Sequence, residues 1–551
     1  MKRCFLTFIF SGKSRLSESR WAKAAFAGGI TAIAFYITLS VRAAAYAQSE
    51  ISLPGLFAIE LPRGAGQIGP TDAPLRDLLK TASCGDRKIT WDLMGKIGVG
   101  AVRVTFSAWD GMPGQGKPAT TRTTRIFVLP AGTTPMGVSG DENATTGNNA
   151  VHIARDVDGL VHMVWQDSGR PGGKTGPVYR RAAVAANGTV HFETDPIYIA
   201  DSGPSDWNAY PALAVSGRNL QLVWQGGGTV HTRQVSHGRD GWTMGPIIDT
   251  GAKSDGSDIG PAIAFDDKGG LHLATPSGVY AYSANGGRTW KTESIPIPAN
   301  ERMKTQSLAV DPLGTVHVAF SAPVSRKASA GTQYGYWQLR TIDRTPDGRW
   351  INAADALAGA PAWGEPRGTD EDILADWVRI VTDRQGGLHL AWHGSGFSKK
   401  YGHDEAFYAY RKRDATWSQP LMLVPQDPAR GIKYSHAPSL TIDGDYALAL
   451  TFYDINVGAN WAGFDSRLAV LRNGHFAGPP IPVAQFTTAA VASHHPDAAM
   501  GSRFPEAAPS LWRTKDGRIW LDVLEVLQTP HDDTNFIVYR QVDVTSAIRQ
   551  R

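Results

Sequence analysis

Cysteine is nearly missing. The chain has two; Cys4 falls in the N-terminal leader, so Cys84 has no partner and an internal disulfide is excluded. No C-x-x-C and no H-E-x-x-H occurs, which leaves a structural zinc site or zincin chemistry without ligands. A glycine-rich phosphate loop is also lacking. Neither charge dominates: 55 Lys and Arg against 51 Asp and Glu give +4 over 551 residues, too little to point to nucleic acid. Only one long apolar run occurs, Ala24 to Leu39. It follows scattered Lys and Arg and leads to Ala45-Tyr46-Ala47 before Gln48, the layout of a secretory signal with a small-x-small cleavage site over residues 1–47. An uncleaved anchor is the alternative, because the basic lead is long and Arg42 interrupts the approach to the site. Either way the folded part is expected outside the cytoplasm, secreted or periplasmic, with membrane contact only if the leader is kept.

Glycine and tryptophan are abundant, and both recur within one repeated pattern. Its clearest copy is Pro261 to Trp290, PAIAFDDKGGLHLATPSGVYAYSANGGRTW. Apolar alternation from Pro261 to Phe265, an Asp-Gly turn, and renewed alternation from Leu271 to Thr275 predict a strand, a hairpin and a second strand. Two further β-prone runs, Val279 to Tyr282 and Trp290 to Ile295, complete a four-stranded antiparallel meander. The same frame ends at Trp165, Trp224, Phe320, Trp392, Phe452 and Val523. Seven such units, spaced at roughly the 40 to 70 residues of a blade with loop insertions, predict an all-β, seven-bladed β-propeller over 148–551, with six or eight blades as alternatives. Residues 48–147 are expected to form a linker, with a short helix near Ala73 to Thr81. Two β-prone runs, Gly100 to Trp109 and Thr121 to Leu129, are expected to close the ring by pairing with the final blade or to cap one face.

Within the third unit, Ser283-Ala284-Asn285-Gly286-Gly287-Arg288-Thr289-Trp290 resembles the Asp-box, S-x-D-x-G-x-T-W, of the sialidase or BNR-repeat propellers, with Asn285 where that family has Asp. The resemblance implies a turn between strands C and D in which a short polar side chain ties back to backbone N–H groups. It also implies action on glycans, as sialidase-like glycoside hydrolases or propeller-type polysaccharide lyases, or glycan and protein binding without catalysis. The family's aromatic-Arg-Ile-Pro motif is missing from the first blade, and Arg503-Phe504-Pro505 in the last is the nearest approach.

His162, His272, His317 and His389 share one register in strand B, and the acids Asp156, Asp266, Asp311 and Asp383 share one turn. Identical placement in several blades marks packing and turn residues rather than catalysts. The irregular polar residues cluster where strand A begins or strand B ends, which blade geometry places at one rim of the central channel. His152, Asp258, Asp376, Arg379, Tyr434, His436, Arg503 and Glu506 stand at the first position, and His393 and Tyr453 at the second, with Trp207 and Trp377 beside them as sugar-stacking platforms.

Two mechanisms fit this set. In a glycosidase, Asp258 or Asp376 is the general acid, Tyr434 or Tyr453 with Glu506 the nucleophilic pair, and Arg379 and Arg503 hold a substrate carboxylate. In a lyase, His436 or His393 takes the proton beside a uronate carboxylate neutralised by Arg379, and a tyrosine protonates the leaving oxygen. Both expect an acidic carbohydrate, no organic cofactor or metal, and a monomer. Binding without catalysis is the third reading.

Overall fold

The computed structural model describes residues 50–549 apart from 54–57, 63–64, 66, 94, 142, 146–148, 168–175, 186–187, 201–207, 239–240, 255–258, 298–302, 304, 328–332, 356–374, 395–404, 414, 425–431, 456–463, 485–500 and 529–534. The leader therefore lies outside the described residues. No helix within them is long and apolar enough to cross a membrane.

Two compact units form. The described part of the first falls within Met1–Phe57, Pro70–Gly95 and Arg103–Arg125. Its helix, Ala73–Leu79, starts with a proline in the first turn, where no N–H is needed, and buries Leu75 and Leu79. Antiparallel pairing of Lys88–Asp92 with Thr105–Trp109 supplies its strands.

The second unit, Ala58–Gly69, Lys96–Val102 and Ile126–Arg551, contains seven antiparallel blades. Side chains two apart on a strand share a face, so alternating apolar residues give each sheet a face to bury. From the hub outwards, strands A to D are Ile153–Arg155, Leu160–Asp167, Gly176–Val184 and Ile197–Tyr198 in blade 1, and Asn208–Ser216, Asn219–Gly226, Thr229–Gly238 and Gly241–Lys253 in blade 2. Blade 3 is Ala262–Phe265, Leu271–Ala274, Val279–Ser283 and Lys291–Ser294, and blade 4 is Thr305–Val310, Val316–Lys327, Gln333–Arg344 and Trp350–Asp355. Blade 5 is Ala375–Thr382, Leu388–Gly394, Glu405–Arg411 and Leu421–Met422, and blade 6 is Ile432–Asp443, Tyr446–Ile455, Phe464–Arg472 and Ile481–Ala484. Blade 7 takes Gly501–Arg513, Ile519–Gln528 and Asn535–Asp543 from the end of the chain, and its outermost strand, Thr133–Ser139, from ahead of blade 1.

Each strand A packs against the strand A of the next blade, and that of blade 7 against that of blade 1, so the sheets close into a ring. An apolar cluster fills every interface between successive blades, including Trp165, Met136, Leu524 and Ile537 between blades 7 and 1. The seven-bladed propeller expected from the repeat is therefore the fold.

Closure departs from expectation. Gly100–Trp109 and Thr120–Leu129 do not pair with the final blade; Thr105–Trp109 pairs with Lys88–Asp92, and Phe127–Leu129 runs parallel to Ala58–Glu60. The closing strand is Thr133–Ser139, antiparallel to Asn535–Asp543, so the ring begins before residue 148. A buried ion pair spans the same seam. Arg155 of blade 1 grips Asp522 of blade 7 through Nε at 2.8 Å and Nη2 at 2.7 Å, the Tyr539 hydroxyl donates to Asp522 at 2.6 Å, and the guanidinium lies 3.9 Å over the Trp512 ring. Gly137 on the closing strand lies so close to Trp165 that a Cβ would stand 2.7 Å from the indole. Gly137→Ala is expected to lower the unfolding free energy by about 1–3 kcal/mol through overpacking, read as a lower urea midpoint at an unchanged m-value.

The repeated histidines staple the blades. Asp156, Asp266 and Asp383 accept turn N–H groups on one oxygen and face the Nε2 of His162, His272 and His389 with the other at 3.2, 3.1 and 3.4 Å. An ionised carboxylate only accepts, so Nε2 carries the proton and Nδ1 accepts from the hydroxyls of Tyr179, Tyr280 and Tyr408 at 2.7–2.8 Å. In blade 4 the tyrosine is replaced by an acid. His317 sits between Asp343 at 2.7 Å and Asp311 at 3.7 Å, and although burial opposes its charge, the two carboxylates carry its pKa above the ordinary value. The turn Ser283–Trp290 is tied by side chains: Asn285 Oδ1 accepts the Thr289 N–H at 3.0 Å, Ser283 Oγ accepts the Gly287 N–H at 2.9 Å, and the Trp290 indole donates to Gly287 O at 3.0 Å.

Candidate functional site

Register explains why the irregular residues meet. Strand A starts pair with strand B ends: Asp376 with His393, Ser435 with Tyr453, His436 with Phe452, and Glu506 with Leu524. The turn aspartates lie at the opposite end of the same strands. Strand A of blades 2, 5, 6 and 7 also breaks register just inside this rim, between Ala209 and Ala212, Asp376 and Arg379, His436 and Ser439, and Arg503 and Glu506. In three of these bulges an aromatic residue takes a positive φ: Tyr210 at 51°, Trp377 at 52° and Phe504 at 42°. A bulky side chain pays on the order of 1–3 kcal/mol for that conformation, and such strain collects at functional positions. Bulges re-aim side chains, and here they turn aromatics towards one another.

The result is a chain of rings across blades 5, 6 and 7. Trp377 lies 5.5 Å from Phe504, Phe504 lies 5.1 Å edge-on to Phe452, Phe452 stacks on His436 at 4.9 Å, and His436 meets His393 at 5.6 Å. His436 and Trp377 remain partly exposed, while His393, Phe452 and Phe504 are buried.

Tyr453 follows Phe452 and so faces the other side of the sheet, where it packs against Val424 of blade 5. Its hydroxyl donates to Asp465 at 3.4 Å, and the Arg467 guanidinium lies 4.8 Å over its ring. Burial and then the Asp465 charge push the phenol up to about 12 against the pull of Arg467, so it keeps its proton at neutral pH. His393, His436 and Tyr453 with Arg467 thus flank the boundary between blades 5 and 6.

Deeper in the hub lie Arg379, His152 and Glu506. Arg379 is 6% exposed and donates from Nε to Leu440 O at 3.2 Å. Glu506 is 0% exposed, with the Arg379 charge and the Ser439 hydroxyl as the groups that act on its carboxyl. Burial raises its pKa to about 8 despite the opposing Arg379 charge. Burial and then Arg379 lower His152 to about 3. Neighbouring inner strands are stitched by side chains: Asn149 Nδ2 and Gln306 Nε2 both donate to Gly260 O at 2.9 Å, and Ser307 Oγ donates to Asn149 O at 2.9 Å and accepts the Ile380 N–H at 3.1 Å.

Of the residues expected at the site, the structure brings together Trp377, His393, His436 and Tyr453 at the rim, with Arg379 and Glu506 beneath. Two roles are corrected. Arg379 is not an open carboxylate clasp, since burial and the Leu440 carbonyl hold it in the hub, and the carboxylate bonded to Tyr453 is Asp465 rather than Glu506. Asp376, Tyr434 and Arg503 occupy strand A positions of this rim, but their side chains lie outside the described set, as do Trp207 and Asp258 entirely. Sequence reasoning missed Asp465 and Arg467 because it counted strand A starts and strand B ends only. Strand C also begins at this rim, directly after the long B–C loop. Among the described residues, no group of three or more His, Cys, Asp or Glu side chains is arranged to hold a metal ion.

No protein-family model matches the chain, and no curated protein matches it. Solved structures similar to it include a polysaccharide lyase, the PL25 ulvan lyase, at 12% identity and a TM-score of 0.46, covering 76% of this chain and 98% of that one. The same lyase bound to -[GlcA(1-4)Rha3S]- gives 11% identity and 0.45 over 76% and 98%. YCF48 bound to a D1 peptide gives 11% identity and 0.37 over 74% of this chain and 94% of that one. Likenesses at identities and TM-scores this low carry no argument, so the chemistry has to come from this chain's own rim residues.

Proposed function

We propose that this propeller acts on an acidic glycan at the boundary of blades 5 and 6, cleaving it by β-elimination. The observation that carries this reading is that the His393–His436 ring pair, 5.6 Å apart, and Tyr453, with Arg467 4.8 Å over its ring, stand at successive positions of one rim, on either side of the blade 6 sheet. Most glycoside hydrolases set two carboxyl groups across the scissile bond, and the tyrosine-nucleophile exception still needs a carboxylic acid besides the tyrosine's partner. Glu506, the one of the expected acids whose side chain is described, lies under the charge of Arg379 in the hub and is not the carboxylate bonded to Tyr453.

In the proposed reaction Arg467 neutralises the uronate carboxylate, which acidifies the adjacent C5–H. His436, positioned by His393 and Phe452, takes that proton. The C4–O bond breaks as the C4=C5 double bond forms, and the leaving oxygen receives a proton from the Tyr453 hydroxyl. Trp377 offers its partly exposed ring to a sugar face. The N-terminal leader favours work outside the cytoplasm, and the Ser283–Trp290 turn favours a sialidase-type repeat ancestry.

Polyuronate turnover should generate the ultraviolet absorbance of a double bond conjugated to a carboxylate. His436→Ala is expected to lower kcat by about 10²- to 10⁴-fold, the usual share of a positioned proton acceptor. Tyr453→Phe is expected to do the same with little change in binding. Cleavage without that absorbance would replace elimination by hydrolysis, and wild type that neither cleaves nor binds any acidic glycan would remove both.

A further inference from the structure

On the opposite face, formed by the A–B and C–D turns, blades 3 and 4 enclose a cleft of about 360 Å³. That volume lies at the lower end of small-ligand sites. Its walls are the turns at Asp266–Gly270, Pro312–Gly314 and Pro346–Gly348, with Lys291 and Arg344 between them.

The acids in this cleft are largely committed within the protein. Asp266 Oδ1 accepts the N–H groups of Lys268 at 2.8 Å and Gly270 at 2.7 Å, while Oδ2 takes His272 at 3.1 Å. Asp347 accepts from the Thr345 hydroxyl, and from Arg349 Nε at 2.8 Å. The cations are not so engaged. Lys268 and Lys291 are exposed, and neither has an ion pair among the described residues. Arg344 spends Nε on Glu293 at 2.5 Å and is held with its guanidinium 4.9 Å over the Tyr280 ring, which leaves its terminal nitrogens for a ligand. Asp267 and the hydrogen-bonded Asp266 balance the two ammonium groups in charge, so what sets the lysines apart is that they are unpaired among the described residues and able to turn to a ligand. Tyr282, half buried, and Leu313, 64% exposed, supply apolar surface beside this charge.

We propose that the cleft is a second, non-catalytic binding site for an acidic sugar unit. Lys268, Lys291 and Arg344 would take its carboxylate or sulfate, and Tyr282 and Leu313 its apolar ring face. This rests on the acidic-glycan reading of the rim and extends it: two sites on opposite faces of the wheel give a polymer two independent holds and raise its residence without new contacts at the rim.

The test uses the full chain carrying His436→Ala, to prevent turnover, and titrates a galacturonate tetrasaccharide by calorimetry at low salt. Two tetrasaccharides are expected to bind per chain, and adding Lys268→Glu and Lys291→Glu is expected to leave one. The affected site should weaken about tenfold or more, equivalent to about 1.4 kcal/mol. Rising salt should weaken that site, and the carboxyl-reduced tetrasaccharide should not occupy it. In an otherwise wild-type chain the two lysine replacements should leave kcat on the tetrasaccharide unchanged. Unchanged stoichiometry and affinity in the charge-reversed chain would overturn the cleft while leaving the rim intact. One site, abolished by the lysine replacements, would support the cleft and remove the rim.

Discussion

Asp522→Ala is expected to lower the unfolding free energy by about 3–5 kcal/mol, the range for breaking a buried ion pair from one side. The change strips Arg155 of a bidentate partner whose side chain is 0% exposed, leaves the guanidinium itself 6% exposed, and takes the acceptor from the Tyr539 hydroxyl. These groups join the first blade to the last, so the seam should loosen before the rest of the ring, visible as faster hydrogen exchange in Ile153–Arg155 and Thr133–Ser139. Arg155→Met combined with Asp522→Leu should recover most of the loss, because it removes both charges and leaves apolar volume. A single-mutant loss below about 1 kcal/mol, the range of exposed bridges, would show that the pair does not hold the seam.

Stability should peak in mildly acid solution, because the hub carries two buried groups shifted towards their neutral forms. Glu506 titrates near 8 in the fold against 4.5 when unfolded. The native state therefore binds more protons between those values, and stability falls as pH rises through them. His152 titrates near 3 in the fold against 6.5 when unfolded. There the unfolded state binds more protons, and stability falls as pH drops from 6.5 towards 3. Each group contributes a slope of up to roughly 1.4 kcal/mol per pH unit. Together they place the maximum between about 4.5 and 6.5, where the two slopes cancel, with a loss of about 1–2 kcal/mol by pH 8. Glu506→Gln keeps the shape and removes the titration, so it should flatten the alkaline limb and leave the acid limb in place. Urea unfolding of wild type and variant from pH 4 to 9 checks this, and parallel alkaline limbs would show that Glu506 is ionised throughout.

The blades were legible because each repeats an alternating strand and a tight polar turn, and four of the seven add a histidine whose partners lie six residues away and on the adjacent strand. The single rim was legible for the same reason, since hairpin register pairs strand A starts with strand B ends whatever the loops do. The closing strand was not. Thr133–Ser139 reads TTPMGVS, short and weakly apolar, and its partner lies some 400 residues on, a pairing that leaves no local trace. The depth of Arg379 and Glu506 was equally hidden, because bulges at Asp376 and Arg503 shift the strand by amounts that alternation cannot reveal. Asp465 and Arg467 became visible only once the strand after the long loop had been placed.

The use of an early segment as the outermost strand of the last sheet fixes the order in which the chain can mature. Thr133–Ser139 emerges long before Asn535–Asp543 does, and throughout that interval it is an unsatisfied β-edge, the kind of surface that recruits the wrong neighbour. A chain stopped short of its final hairpin can build its first six sheets yet never fasten them, so completion of the last few dozen residues converts a row of sheets into a wheel.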